Sequence, residues 1–66
     1  MVERLNKIIR KRDLPDFTGL QRSAIERLMK RGDFPRPIPL GDRAVGWIEA
    51  ELIAWQAKRM AERDSS

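Results

Sequence analysis

With 66 residues, 41% of them hydrophobic, the chain has room for one domain, and a domain of this size buries only about 60% of the surface its unfolded chain exposes. It has no cysteine, no histidine and no tyrosine, which excludes disulfide staples and the usual zinc sites and removes the commonest catalytic bases and nucleophiles. The formal charge is +4 and no apolar run approaches the roughly 20 residues of a membrane span, so the expectation is a cytoplasmic, non-catalytic protein with no cofactor, no metal, no membrane and no small-molecule substrate.

The positive charge is gathered in the first half. Residues 1–13 carry a net +3, residues 14–20 carry −1, residues 21–31 carry +3, residues 32–46 are neutral and residues 47–66 carry −1. That distribution suits a face that meets a polyanion, although a merely solvated helix face carries charge in the same way.

Residues 1–13 read as a basic N-terminal segment. Val2, Leu5, Ile8 and Ile9 lie at helical spacing among Arg4, Lys7, Arg10, Lys11 and Arg12, the pattern of a basic amphipathic helix. A strand over Lys7 to Arg10 competes, because Ile8-Ile9 is β-branched and the segment is short. Its basic face would touch phosphates, a membrane surface or nothing.

Asp13-Leu14-Pro15-Asp16 reads as a helix start, with a capping residue, a proline tolerated in the first turn and an acid at the positive end of the dipole. That helix is brief, because Gly19 offers the positive φ that ends it. Leu14, Phe17 and Leu20 are its expected core residues. The stretch from Gly19 to Gly32 then forms a second helix whose Ile25, Leu28 and Met29 recur at i, i+3 and i+4. Arg22, Arg27, Lys30 and Arg31 occupy the rest, against the single acid Glu26. Two starts compete. Ser23 with Glu26 spells a capping box, which would turn Glu26 back to the Ser23 amide. A start near Gln21 instead leaves Glu26 outward, to repel phosphates or accept from a cytosine amino group. Two helices around a tight glycine turn form a helix-turn-helix, in which the first braces the second.

After Gly32 the chain becomes proline-rich. Gly41-Asp42 signals a two-residue hairpin that pairs Leu40 with Arg43, Ile38 with Val45 and Arg36 with Trp47. In that register Pro35, Pro37 and Pro39 fall where amides point outward, so no ladder bond is lost. A polyproline II ligand is the rival reading of Pro35 to Pro39. Trp47 to Arg63 reads as the longest helix, with Ile48, Leu52 and Trp55 buried and Ile53 or Met60 extending the stripe. Glu49 and Glu51 near its start and Lys58, Arg59 and Arg63 near its end match its dipole. Both tryptophans are expected in the core, and Asp64 to Ser66 are expected to fray. Together these elements predict a mostly α fold with a small β-hairpin, a winged helix-turn-helix over residues 14–63.

No Gly-rich run precedes a Lys-Ser or Lys-Thr pair, and Ser23 has no base near it in sequence. Two stretches carry a family resemblance. Leu14 to Leu28 (LPDFTGLQRSAIERL) and Gly32 to Trp47 (GDFPRPIPLGDRAVGW), followed by Glu51-Leu52 and Trp55, resemble the AlpA family of small phage and prophage regulators, which are related to excisionase and MerR-type winged helix-turn-helix domains. The resemblance covers about Leu14 to Arg59, and its most distinctive part is the Gly-x-Phe-Pro to Gly-Trp segment. It implies double-stranded DNA as partner and transcriptional regulation from prophage or genomic-island promoters. Some relatives act as excisionases that bend attachment-site DNA, and an excisionase, or recombination directionality factor, is the alternative reading within the same fold. The family usually has Ser where this chain has Gln21 and Tyr where it has Glu26. The usual Ser opens the second helix, which favours the earlier start. Arg22, Ser23 and Arg27 match the family and carry over as DNA contacts.

The expected interface is thus Gln21, Arg22, Ser23, Glu26, Arg27, Lys30 and Arg31 on the second helix, with Arg36 and Arg43 on the wing. A homodimer or a cooperative array on DNA fits the small footprint of one copy. A protein-interaction module, presenting the proline segment or the N-terminal segment, is the alternative from another class.

Overall fold

Three α-helices and a three-stranded antiparallel sheet make up the computed structural model, which describes residues 5–65. In chain order they are β1 (Ile8–Arg10), a 3-10 turn (Lys11–Asp13), α1 (Leu14–Thr18), α2 (Arg22–Lys30), β2 (Ile38–Pro39), β3 (Val45–Ile48) and α3 (Glu49–Ser65). The strand order is β1-β3-β2. The sheet is therefore larger than the expected hairpin. Its third strand comes from the N-terminal segment, where the β-branched Ile8 and Ile9 form a strand in place of the amphipathic helix.

The register explains why the strand wins over residues 8–10. Ile8 faces Ile48, Ile9 faces Trp47 and Arg10 faces Gly46, so the two-residue alternation of a strand sends Ile9 into the core and Ile8 and Arg10 to the other face. The central strand β3 thereby finds a partner on both sides, and the Glu49 amide donates to the Lys7 carbonyl at 2.8 Å beyond the pairing. A helix there would have aligned Leu5 with the isoleucines, but Leu5 is 96% exposed. Val2 and Arg4, the rest of that helical reading, lie outside the described residues.

The α1 to α2 passage follows from local chemistry. Thr18 Oγ1 donates to the Leu14 carbonyl at 2.7 Å and accepts from the Leu20 amide at 3.2 Å, so one hydroxyl ties the end of α1 to the turn. Gly19 takes φ 77° and its amide donates to the Pro15 carbonyl. The far end of α2 closes as a Schellman motif: the Asp33 amide donates to Leu28 O at 2.8 Å and the Gly32 amide to Met29 O at 3.1 Å, with Gly32 at φ 76°.

The hairpin is present, one residue out of the expected register. Ile38 faces Gly46, Pro39 faces Val45, and the Leu40 amide donates to Ala44 O at 2.7 Å. The connection is thus the three residues Gly41, Asp42 and Arg43, not Gly41-Asp42. Gly46 sets this register. A Cβ on it would overlap Ile8 Cγ2 and come within 3.0 Å of Leu40 Cδ1, so only a glycine lets the Ile8 side chain of β1 and the Leu40 side chain just past β2 close over β3. Pro39 still faces outward, where its missing amide costs no ladder bond. Arg36 does not pair with Trp47. The Trp47 indole Nε1 instead donates to the Pro35 carbonyl at 2.9 Å.

Trp47 and Ile48 belong to β3, so the long helix starts at Glu49, later than expected. Ile9, Leu14, Ile25, Phe34, Trp47 and Leu52 are buried as one core, with Leu20, Leu28, Met29 and Trp55 packed against it. Phe34 and Trp55 meet edge to face at 5.0 Å between ring centroids. Phe17 is not a core residue. A five-residue helix has one inward turn, Leu14 fills it, and Phe17 lies 40% exposed beside Ile53 and Gln56. Ile53 and Met60 are exposed too. Asp64 and Ser65 continue α3, where Arg63 Nε reaches Asp64 Oδ1 at 2.9 Å; Ser66 lies outside the described residues. Among the described residues no helix is long and apolar enough to cross a membrane.

Candidate nucleic-acid interface

Each α-helical residue turns the helix by about 100°, which sorts the side chains of α2 into two halves. Ala24, Ile25, Leu28 and Met29 point inward, Ile25 fully buried and the others half-buried. Arg22, Ser23, Glu26, Arg27, Lys30 and Arg31 are all exposed and fall on the other half as one uninterrupted surface. The core thus fixes the rotation of the helix about its axis, and the outward face is what remains.

α2 begins early. Gln21 is its N-cap, in extended conformation at φ −74° and ψ 156°, and its carbonyl accepts from the Ile25 amide at 3.1 Å. No side chain caps this end. The Ser23–Glu26 capping box does not form, because both residues are already inside the helix, and Glu26 stays on the outer face one turn from both Arg22 and Lys30.

The remaining two sequence-selected arginines part company. Arg36 joins Lys30 and Arg31 around an open concavity of about 360 Å³ at the C-terminal end of α2. There Arg31 Nε also lies 3.4 Å from Asp33 Oδ2, an exposed pair of the weak kind. Arg43 sits elsewhere, with Arg10, Lys11 and Arg12 and beside Val45, around a second concavity of about 290 Å³. Arg10, Lys11 and Arg12 are not among the residues expected at the interface. Their charge run was visible, but their meeting with Arg43 depends on the β1–β3 register, which lays the end of β1 against the start of β3. Lys11 also lines a narrow cleft with Arg22 and Glu26, so the two basic areas are continuous.

No three acidic side chains among the described residues are grouped to hold a metal ion. The chemistry of this face is that of exposed guanidinium and ammonium groups, which donate hydrogen bonds to phosphate oxygens and to the acceptor edges of bases.

Residues 7–60 match the family model described as Prophage CP4-57 regulatory protein (AlpA). The chain is also 37% identical over 57 residues to a protein of Enterobacteria phage P4 named "Uncharacterized protein ORF88", an alignment that takes in 86% of this chain and 65% of the phage protein. The chain therefore spans just under two thirds of that relative's length.

Proposed function

The chain belongs to the AlpA family of prophage regulatory proteins, a family of non-enzymatic regulators, and from that premise we propose that it is a sequence-specific, double-stranded-DNA-binding transcriptional regulator of prophage or genomic-island genes. In this reading residues 14–63, joined by β1, act as a winged helix-turn-helix. α1 braces, α2 enters the major groove, and the β2–β3 hairpin is the wing. The observation that carries it is the division of α2: its inner half is held by the core while its outer half presents Arg22, Ser23, Arg27, Lys30 and Arg31 to solvent on one surface.

Roles follow from position and chemistry. Gln21, Arg22 and Ser23 lie at the cap and in the first turn of α2, where a groove-bound helix meets base edges, and Arg27 lies one turn beyond Ser23 on the same outward face. Lys30 and Arg31, one turn further, with Arg36 in the segment between α2 and β2 and Arg43 in the hairpin loop, are positioned for phosphates. Glu26 sits among these cations and either weakens phosphate attraction or accepts from a cytosine amino group.

The test is a titration with duplex DNA from the chain's own upstream region across a salt series. About five neutralised phosphates give a log–log slope of about −4.5. Binding that does not change with salt, or no binding to any duplex, would overturn the reading.

A further inference from the structure

We infer that Arg10, Lys11, Arg12 and Arg43 form a second anion site, which holds backbone phosphates of the same duplex beside the groove that α2 enters. The inference rests on the DNA reading above and adds a set of contacts to it.

Two separate pieces of chain build the site. β1 runs antiparallel to β3 with Arg10 facing Gly46, so the 3-10 turn that follows β1 lies against the start of β3 and the loop Gly41 to Arg43. Four cations then surround one shallow concavity of about 290 Å³, and the other residue lining it is Val45. Among the described residues the carboxylate nearest this group is that of Asp13, 3.9 Å from Arg12 Nε across two exposed side chains, and such a pair neutralises little in water. Holding four like charges around one hollow raises the free energy of the unbound protein. An anion placed there relieves the repulsion.

Phosphodiester oxygens are the anion that the geometry favours. Guanidinium groups offer planar, paired donors that match phosphate oxygens. The hollow is open and has no enclosed pocket for a small acid. It is also continuous with the outer face of α2 through Lys11, which lines the cleft shared with Arg22 and Glu26. A duplex lying on α2 therefore has its backbone led toward Arg12 and Arg43.

Backbone contacts position a protein without reading sequence, and the experiment uses that property. The double variant Lys11→Gln/Arg12→Gln is compared with a charge-matched double variant on α3, Lys58→Gln/Arg63→Gln, on target and random duplexes across a salt series. The expected result is that the first pair flattens the log–log salt slope by about 2 while the target-to-random preference stays unchanged, and that the α3 pair leaves the slope unaltered. Arg43→Gln, from the other chain segment, is expected to flatten it by about 1 and gives an independent reading should the double variant fail to fold. An unchanged slope in Lys11→Gln/Arg12→Gln and in Arg43→Gln would remove this site while leaving α2 as the DNA-reading element. An equal loss in the α3 pair would show a general field effect and would also overturn it. A wild-type chain that binds no duplex removes the site together with the DNA reading.

Discussion

The indole Nε1 of Trp47 donates to the carbonyl oxygen of Pro35 at 2.9 Å, and this one bond joins the central strand to the segment leaving α2. It does what a backbone ladder does elsewhere, because Arg36 and its neighbouring prolines are not in the sheet. Trp47→Phe keeps an aromatic ring in the core but strands the carbonyl, and should lower unfolding stability by about 1–3 kcal/mol. Trp47→Ala should cost about 3–5 kcal/mol. Urea denaturation followed by far-UV circular dichroism checks both. A Trp47→Phe midpoint equal to wild type would show that the bond contributes nothing.

Gly46 is required by what crosses it. Gly46→Ala drives a methyl group into Ile8 Cγ2 and close to Leu40 Cδ1, so a loss of about 1–3 kcal/mol is expected from overpacking. Ile8→Ala in the same chain should return part of that loss. In a double-mutant cycle the two changes should couple by about 0.5–3 kcal/mol. Additive effects would mean that β1 does not lie over Gly46.

Gly19 is required by its backbone alone. At φ 77° nothing lies within 4 Å of where its Cβ would be, so Gly19→Ala should cost about 1–2 kcal/mol through the left-handed conformation. Gly19→Asn should cost less, since asparagine tolerates that region better. Thermal unfolding of the two variants checks the order, and an Asn variant less stable than the Ala variant would contradict it.

On α2 two cations should behave differently. Arg22→Ala is expected to lose about 1–3 kcal/mol at the target site and to blur the base preference there. Lys30→Ala should weaken all duplexes alike. Competition titrations against random DNA separate the two, and equal effects of both changes on random DNA would contradict the role given to Arg22.

Glu26 is the acid inside the cationic face. Glu26→Gln should tighten binding to random duplex, most at low salt where charge repulsion reaches furthest. Association rates measured at two ionic strengths test this. An unchanged rate at low salt would place Glu26 away from the phosphates.

Much of the helical layout is legible locally. The Pro15-Asp16 first turn, the Gly19 turn, the apolar Ile25, Leu28 and Met29 and the Gly32 stop each depend on neighbours within one or two turns, and the structure places α1 and α2 accordingly. Asp13, expected to cap α1, makes no side-chain capping bond, because it already has helical backbone as the last residue of the 3-10 turn. The sharing of one face by Arg22, Ser23, Glu26, Arg27, Lys30 and Arg31 follows from the helical repeat. The sheet was less legible. Ile8 and Ile9 fit a helix or a strand by spacing, and their partner is Trp47-Ile48, on the other side of α1, α2 and β2 in sequence, so nothing local decides between them. The hairpin register escaped for a related reason: the turn residues favour a two-residue loop, whereas the fit of Ile8 and Leu40 over Gly46 demands three. Phe17 looked like core because it is large and apolar, but Leu14 already fills the space that α1 faces.

The sequence by itself determined the two glycine-bounded helices, the charge on the outer face of α2 and the absence of histidine, cysteine and tyrosine chemistry, because each is carried by residue type and short-range spacing. Only the tertiary structure decided that the N-terminal segment is a strand, that Trp47 belongs to the sheet, and that Arg43 stands with Arg10, Lys11 and Arg12 and not with Arg36. Those are pairings between distant segments, and their register is chosen by side-chain fit across the sheet, which no single stretch of the chain contains.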